Sequence, residues 1–515
     1  MNTNTLVKYA VICGAVFAAA ACSLDYNPVD IYSDFTEGVQ TDSGYVILKD
    51  RAAVLNQRQV IYDRIRDAGQ EPGYLDMLLL SESHSDNAYA GNPNQETTPF
   101  EVNSIEGSNS NLKRDWNYYM TNVAAANRLI QGIDELNDPA LTEAEAKEIR
   151  AEGLISRALT YFDMVRIWGR VPLITVVGKD ITAENIEEVY PAYFPEQKEE
   201  VEVYQQIEKD LLEAEMFAPE NKPSNKTLFT KTVARALLAK VYAEKPLRNY
   251  AKVIEYANKV AADGISLVNN FSDLWGIVLA NPNAPAGESN FAVAARALNT
   301  SESILEIQYP SGSWVTWMFG RSLDNWNFYF DFAKWITPSR DIVRAFDSAG
   351  DTKRKNESIV YYPCSWNIYY PAANYAFMYK TRSKYNSVIK IRYADILLLK
   401  AEAMIQTGDL SGAEQIINQI RQRAGLNALP VSATSNKENL LGAYLNERRL
   451  ELAFEGQRWF DLCRLNKVEE VMNAVFSTDE GRPAQRYKYD QFSYKLPIPQ
   501  DIIDQNPNLV QNPGY

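Results

Sequence analysis

The residues best equipped for chemistry crowd into one stretch near the C-terminus, NERRLELAFEGQRWFDLCR at 446–464. Two carboxylates held a few ångströms apart can serve as the acid and base of a glycosidase. Here Glu451 and Glu455 each have an arginine within one helical turn, giving the i, i+3 pairs Arg448 to Glu451 and Glu455 to Arg458. Charges beside Phe454, Trp459 and Phe460 must be paired, because an unpaired buried ion is costly. The four charged residues are therefore read as structural ion pairs, and no catalytic residue is assigned. His84 is the one histidine, which removes Ser-His-Asp triads and H-E-x-x-H zinc sites. It is read as a hydrogen-bonding residue of a loop. Cys13, Cys22, Cys364 and Cys463 form no C-x-x-C pair, and no twelve-residue calcium loop is present. No metal or cofactor is expected. Cys364 and Cys463 are read as small buried thiols that pair only if the fold brings them together. A net charge of −14 argues against a nucleic-acid partner.

The second chemical signal is a load of rings. The chain has 31 Tyr and 9 Trp, and ten aromatics fall between 309 and 335, interrupted by Gly312, Gly320 and Asn325. No helical stripe survives across that segment. Some of these rings belong to a core and others to loops. Residues 81–111 (SESHSDNAYAGNPNQETTPFEVNSIEGSNSN) are rich in Ser, Asn, Gly and Pro and are read as a long functional loop.

The elements that position these residues are mostly helices. In 149–174, Ala151, Leu154, Ile155, Ala158, Phe162, Val165 and Trp168 form one apolar stripe. Gly169 ends the helix and Pro172 forbids its resumption. Ala151, Gly153 and Ala158 leave a small surface on which another helix can approach closely. Further helices are predicted over 50–66 (with Ala53, Leu55, Val60 and Ile61 inside), 74–80, 116–133, 201–216, 232–244, 249–262, 393–406 and 410–424. The last pair fits the tetratricopeptide pattern, with Ala401, Met404, Ala413, Ile417 and Ile420 at its key positions, although Lys400 departs from it. The pair at 232–262 fits more loosely. Residues 303–309 (SILEIQY) alternate and are read as a strand.

Residues 1–21 carry a single charge, Lys8, and an apolar run that ends in four alanines before Cys22. That is a signal-peptide pattern, and the cysteine suggests a lipobox with Cys22 acylated, palmitate included. Ala19 stands where a lipobox usually has Leu, so an ordinary signal peptide is the alternative. No later segment is apolar enough to cross a membrane.

Taken in order, several segments resemble the SusD/RagB family of Bacteroidetes outer-membrane lipoproteins. They are Cys22-Ser-Leu-Asp25 with Pro28, RAEGLISRALTYFDMVRIWGRVPL at 150–173, TPSRDIVRAFDSAGDTKR at 337–354, IRYADILLLKAEAM at 391–404, 446–464, and KLPIPQDIIDQNPNLVQNPGY at 495–515. The resemblance implies a mostly α fold, with about four degenerate tetratricopeptide helix pairs and an irregular, loop-rich cap containing short strands. It divides the chain into a signal peptide (1–21), a lipidated tether (22–45), a helical scaffold (46–264) with its binding loop (81–111), an aromatic-rich region (265–385), C-terminal helices (386–466) and a surface-wrapping segment (467–515). It implies a surface-exposed, lipid-anchored protein of the outer membrane. Such a protein captures an oligosaccharide or polysaccharide and delivers it to a SusC-like TonB-dependent barrel, without enzymatic activity. The alternatives are a peptide-binding, RagB-like member, or a repeat scaffold that grips another protein. By position in the family, the ligand would meet Tyr89 and Asn92 in one loop and Trp314, Trp317, Arg321 and Trp326 in another, with Trp366 in reserve.

Overall fold

The computed structural model describes residues 48–178, 184, 185, 187, 190, 193–275, 297–313, 334–381 and 386–515. The leader, Cys22 and the tether lie outside the described residues.

Helix α1 (Arg51–Asp63) starts where the Asp50 carboxylate accepts the Ala53 amide at 2.8 Å. Its buried face carries Val54, Gln57 and Ile61. Ile61 is inside as predicted, whereas Val60 is exposed and Ala53 and Leu55 are half-buried, their places in the buried face taken by Val54 and Gln57. Wide π-type turns follow at Arg64–Ala68, Glu71–Asp76 and Leu79–Ser83. Helices α2 (Ser110–Glu135), α3 (Glu143–Trp168), α4 (Glu200–Phe217), α5 (Lys231–Ala243) and α6 (Tyr250–Ala262) then pack each against the next.

The predicted organising helix is α3, six residues longer at its N-terminus than the apolar stripe indicated. Thr142 caps it by accepting the Glu145 amide, and Gly169, at φ +73°, ends it. The small face is used as expected. A Cβ on Gly153 would stand 3.0 Å from Ile130 Cγ1 on α2, so the glycine sets how closely the two helices approach.

Toward the C-terminus lie α7 (Arg340–Ala349), α8 (Thr352–Ser358), α9 (Tyr393–Thr407), α10 (Leu410–Arg423), α11 (Lys437–Leu452), α12 (Arg458–Arg464) and α13 (Val468–Thr478). Helix α9 packs on α6, α10 and α11 and so joins the two halves of the helical array. Gly408, at φ +96°, makes the turn between α9 and α10.

The strands are short and antiparallel. β1 (Ala88–Ala90) pairs with β3 (Ile336–Pro338), β2 (Ser303–Ile307) with β6 (Val388–Arg392), and β4 (Ile359–Tyr362) with β5 (Tyr375–Met378). β2 does not alternate between core and solvent. All five of its residues are buried, because α5 also packs against the strand. Its Glu306 is satisfied there by the Asn299 amide at 3.0 Å and the Gln308 side-chain amide at 2.9 Å.

Sequence 446–464 is not one helix. α11 stops at Leu452, Phe454 takes φ +64° and Gly456 φ +76°, and α12 begins at Arg458. The predicted i, i+3 pairs are therefore corrected, since neither forms and every partner is remote. Arg448 binds Asp395 at 2.5 Å and Asp461 at 2.7 Å. Glu451 receives Arg392 at 2.6 Å, Arg354 at 3.0 Å, and Arg423. Glu455 receives Lys380 at 2.5 Å and Arg392 at 2.6 Å. Arg458 forks onto both Asp86 oxygens at 2.7 and 2.8 Å. The requirement that these buried charges be paired is met, but by other elements. The kink at 453–457 removes Glu455 and Arg458 from a shared turn, and α11 is surrounded by protein where a surface helix would be free to pair with itself.

The C-terminal segment does more than lie on the surface. Leu496, Ile498, Ile502 and Leu509 are buried, and the Asn512 side-chain amide donates to the carbonyls of Trp168 and Leu496, each at 2.7 Å. Cys364 and Cys463 remain free thiols.

Replacing Glu451 with glutamine leaves the Arg392, Arg354 and Arg423 guanidiniums short of one buried anion. Urea unfolding is expected to show a loss of about 3–5 kcal/mol, and a loss below 1 kcal/mol would contradict the accounting.

Candidate functional site

The segment SESHSDNAYAG, expected to open a binding loop, is buried throughout from Ser81 to Gly91. Its polar side chains line an internal cage. Asp86 neutralises Arg458 and also meets Arg449 at 3.2 Å. The Asn87 amide donates to Glu82 at 2.8 Å, and its oxygen accepts from Arg449 at 2.8 Å. Arg482 donates to the carbonyls of Ser85 and Ala88 at 3.1 and 3.0 Å. His84 donates from Nδ1 to the Phe100 carbonyl at 2.7 Å and lies 4.1 Å from the Trp459 ring centroid. Burial pushes its imidazole down to about 4, so the ring is neutral at neutral pH. The expected hydrogen-bonding role is seen, on a turn that is buried and not open to solvent.

Tyr89 is corrected as a ligand-stacking candidate. It is fully buried, its hydroxyl donates to Asp479 at 2.8 Å and accepts the Arg340 amide at 2.8 Å, and its ring stacks on Tyr369 at 4.5 Å. β1 places it inward because its backbone pairs with Thr337 on β3. Asn92, two residues past the strand, is exposed, and its carbonyl anchors the loop by accepting from Thr97 at 2.6 Å. Trp314, Trp317, Arg321 and Trp326 lie outside the described residues. Both ends of the segment that carries them are attached to the frame. Ser313 donates to Gln70 at 2.8 Å, and the Trp335 carbonyl accepts the Gly91 amide at 3.0 Å. Trp366 is half-buried, edge-on to Tyr375 and Phe377.

Beside the Ser313 end lies a cleft of about 520 Å³, within the range of small-ligand sites. Half-buried Tyr62 lines it, stacked on the buried ring of Phe229 with centroids 5.0 Å apart. Arg66, Gln59, Gln308 and Pro310 stand around it. A partly open ring next to amides and a guanidinium suits a sugar, whose C–H face stacks on an aromatic plane while its hydroxyls take hydrogen bonds. Sequence reasoning missed this cleft. Arg58, Tyr62 and Arg66 recur every four residues along one face of α1 and its extension, and that was the available signal. The approach of Phe229 and Gln308 is long-range and left no trace in the sequence. Among the described residues no group of His, Cys, Asp and Glu is set to hold a metal.

A SusD-family model matches residues 323–515, and a second, described as starch-binding and associating with the outer membrane, matches residues 34–243. The chain belongs to the SusD/RagB family. It is 27% identical over 449 residues to SusD-like protein P2 of Formosa agariphila, covering 81% of this chain and 83% of the relative. With the starch-binding protein SusD of Bacteroides thetaiotaomicron it shares 23% over 517 residues, 87% of each chain. A laminarin-binding SusD-like protein superposes with a TM-score of 0.66 at 23% identity, over 91% of this chain and 100% of that one. Surface glycan-binding protein A from Bacteroides fluxus superposes at 0.70 with 21% identity, over 91% and 100%. These likenesses establish the mostly helical SusD fold. The family is one of glycan-binding proteins associated with the outer membrane, and this SusD-type chain is a binding protein and not an enzyme.

Glu101 gives this region a pH signature. It is fully buried, accepts the Ala90 amide at 2.9 Å and the Tyr369 hydroxyl at 2.7 Å, and burial lifts its carboxyl to about 7 despite Arg482 nearby. A folded-state value above the unfolded one contributes stability that is complete at low pH and is lost as pH rises through about 7. The stability of Glu101→Gln relative to the parent is therefore expected to rise between pH 5 and 8 in thermal melts. A flat difference would contradict the assignment.

Proposed function

We propose that this SusD-type protein is a surface-exposed receptor, anchored through acylated Cys22, that captures an oligosaccharide or polysaccharide and hands it to a SusC-like TonB-dependent barrel. Its stacked helix pairs, read as degenerate tetratricopeptide units, supply the frame. The ligand lies across the 314–333 segment, where Trp314, Trp317 and Trp326 offer faces and Arg321 takes hydroxyls. Asn92 follows Gly91, which binds the Trp335 flank of that segment, and the cleft beside Tyr309 and Pro310 lies toward its Ser313 flank. The observation that carries this reading is the attachment of both flanks of the ring-bearing segment, Ser313 and Trp335, to the helical frame, next to an open cleft lined by Tyr62.

Calorimetry of the purified mature chain against a glycan panel tests the reading. Binding to at least one glycan is expected, with no release of reducing ends. Trp314→Ala with Trp317→Ala should weaken binding by about 1–3 kcal/mol while leaving the circular dichroism spectrum unchanged. Binding to peptides alone would overturn the glycan reading. Metabolic labelling should place an acyl chain on the parent and none on Cys22→Ser.

A further inference from the structure

A second cleft, of about 490 Å³, lies where the C-terminal chain crosses the 103–107 loop. It has the composition of a sugar site. Three rings edge it, and all remain substantially open to solvent: Tyr487 at 57%, Phe492 at 44% and Tyr515 at 43%. Between them stand Ser104, Glu106 and Lys488, whose side chains make no hydrogen bond or ion pair with any described residue. Donors and acceptors are therefore available beside the ring faces.

The cleft is also pre-organised, which an incidental groove between loops would not be. Gln511 clamps Ile498 in both directions, accepting its amide at 2.8 Å and donating to its carbonyl at 2.9 Å. The Asn103 side chain donates to the Tyr487 carbonyl at 3.0 Å and fixes the backbone that carries that ring. The Gln500 amide donates to the Gly107 carbonyl at 2.9 Å. Asp490 accepts the Phe492 amide at 2.8 Å. Gly514, at φ +100°, lets the chain approach Phe492 so closely that a Cβ there would stand 2.8 Å from Phe492 Cβ. These walls are tied to other parts of the chain, while the side chains of Ser104, Glu106 and Lys488 are left unengaged.

We infer that this cleft is an auxiliary glycan-binding site, taking one or two sugar rings of a polysaccharide whose main length is held elsewhere. The proposal rests on the reading of the chain as a glycan receptor. Glu106 and Lys488 bring opposite charges, so the ligand is a neutral glycan and not a polyanion. A second weak contact on the same polymer raises avidity for long chains and does little for short ones.

The test compares the mature chain, Tyr487→Ala/Tyr515→Ala, and Trp314→Ala/Trp317→Ala in native gels cast with soluble starch, laminarin or another neutral polysaccharide. Each variant is also titrated calorimetrically with tetrasaccharides of the same linkages. Both replaced tyrosines are solvent-exposed, and thermal melts verify that folding is retained. The tyrosine variant is expected to bind the retarding polysaccharide about 3- to 10-fold more weakly, the ratio one or two aromatic contacts supply, with tetrasaccharide affinity unchanged. Equal retardation of the tyrosine variant and the parent, with binding abolished by the tryptophan changes, overturns the auxiliary site alone. No retardation of the parent in any gel overturns both this site and the receptor reading beneath it.

Discussion

A single carboxylate holds the C-terminal half of this protein in register. Glu451, near the end of α11, has no exposed surface and receives guanidiniums from β6 (Arg392), α8 (Arg354) and α10 (Arg423). Around it the cations Arg354, Arg392, Arg421, Arg423 and Lys380 face the anions Asp351, Glu302, Glu447, Glu451 and Glu455, five against five. Burial alone would push the Glu451 carboxyl up. The three guanidiniums outweigh it and hold the group well below the usual carboxylate range. A lattice of this kind need not be more stable than a well-packed apolar core, but it accepts one arrangement of its elements and penalises every other.

That selectivity matters because the apolar interior is divided. One hydrophobic core runs through the N-terminal helices and takes in residues of β2, α9, α12, α13 and the C-terminal segment, a second gathers β1, β3 and β5 with Tyr369 and Tyr370, and a third fills the space among α9, α10 and α11. Hydrophobic burial holds each core together and says little about their relative setting. Helix α11 and its continuation contribute to the second and third cores and send charges to all sides. Asp86 and Glu82 in the N-terminal half are bound by Arg458 and by the Phe454 and Gly456 amides. The same links tie β1 and β3, and hence the Gly91 end of the ring-bearing segment, to the helical frame.

Much of the frame was legible in the sequence. The stripe from Ala151 to Trp168, the stop at Gly169 and the small face at Gly153 all depend on local spacing, and the structure uses each of them. The α9–α10 turn at Gly408 was equally visible. What failed did so for one physical reason. SESHSDNAY has the composition of a loop, yet its polar groups are satisfied by arginines more than 350 residues away. Arg448, Glu451, Glu455 and Arg458 had the spacing of intrahelical pairs, yet their partners come from other elements. Composition reports how much polarity a segment carries and not who satisfies it. Of the candidate site, Asn92 is exposed, Tyr89 is core, and the two clefts depend on contacts between distant stretches that no local pattern encodes.

Native-state hydrogen exchange on Glu451→Gln, compared with the parent chain, tests most directly whether one buried carboxylate couples these elements. The account predicts that amide protection falls together in Thr352–Ser358, Val388–Arg392 and Leu410–Arg423, by a similar free energy in each. Loss of protection confined to Lys437–Leu452, with the other three elements unchanged, would contradict it.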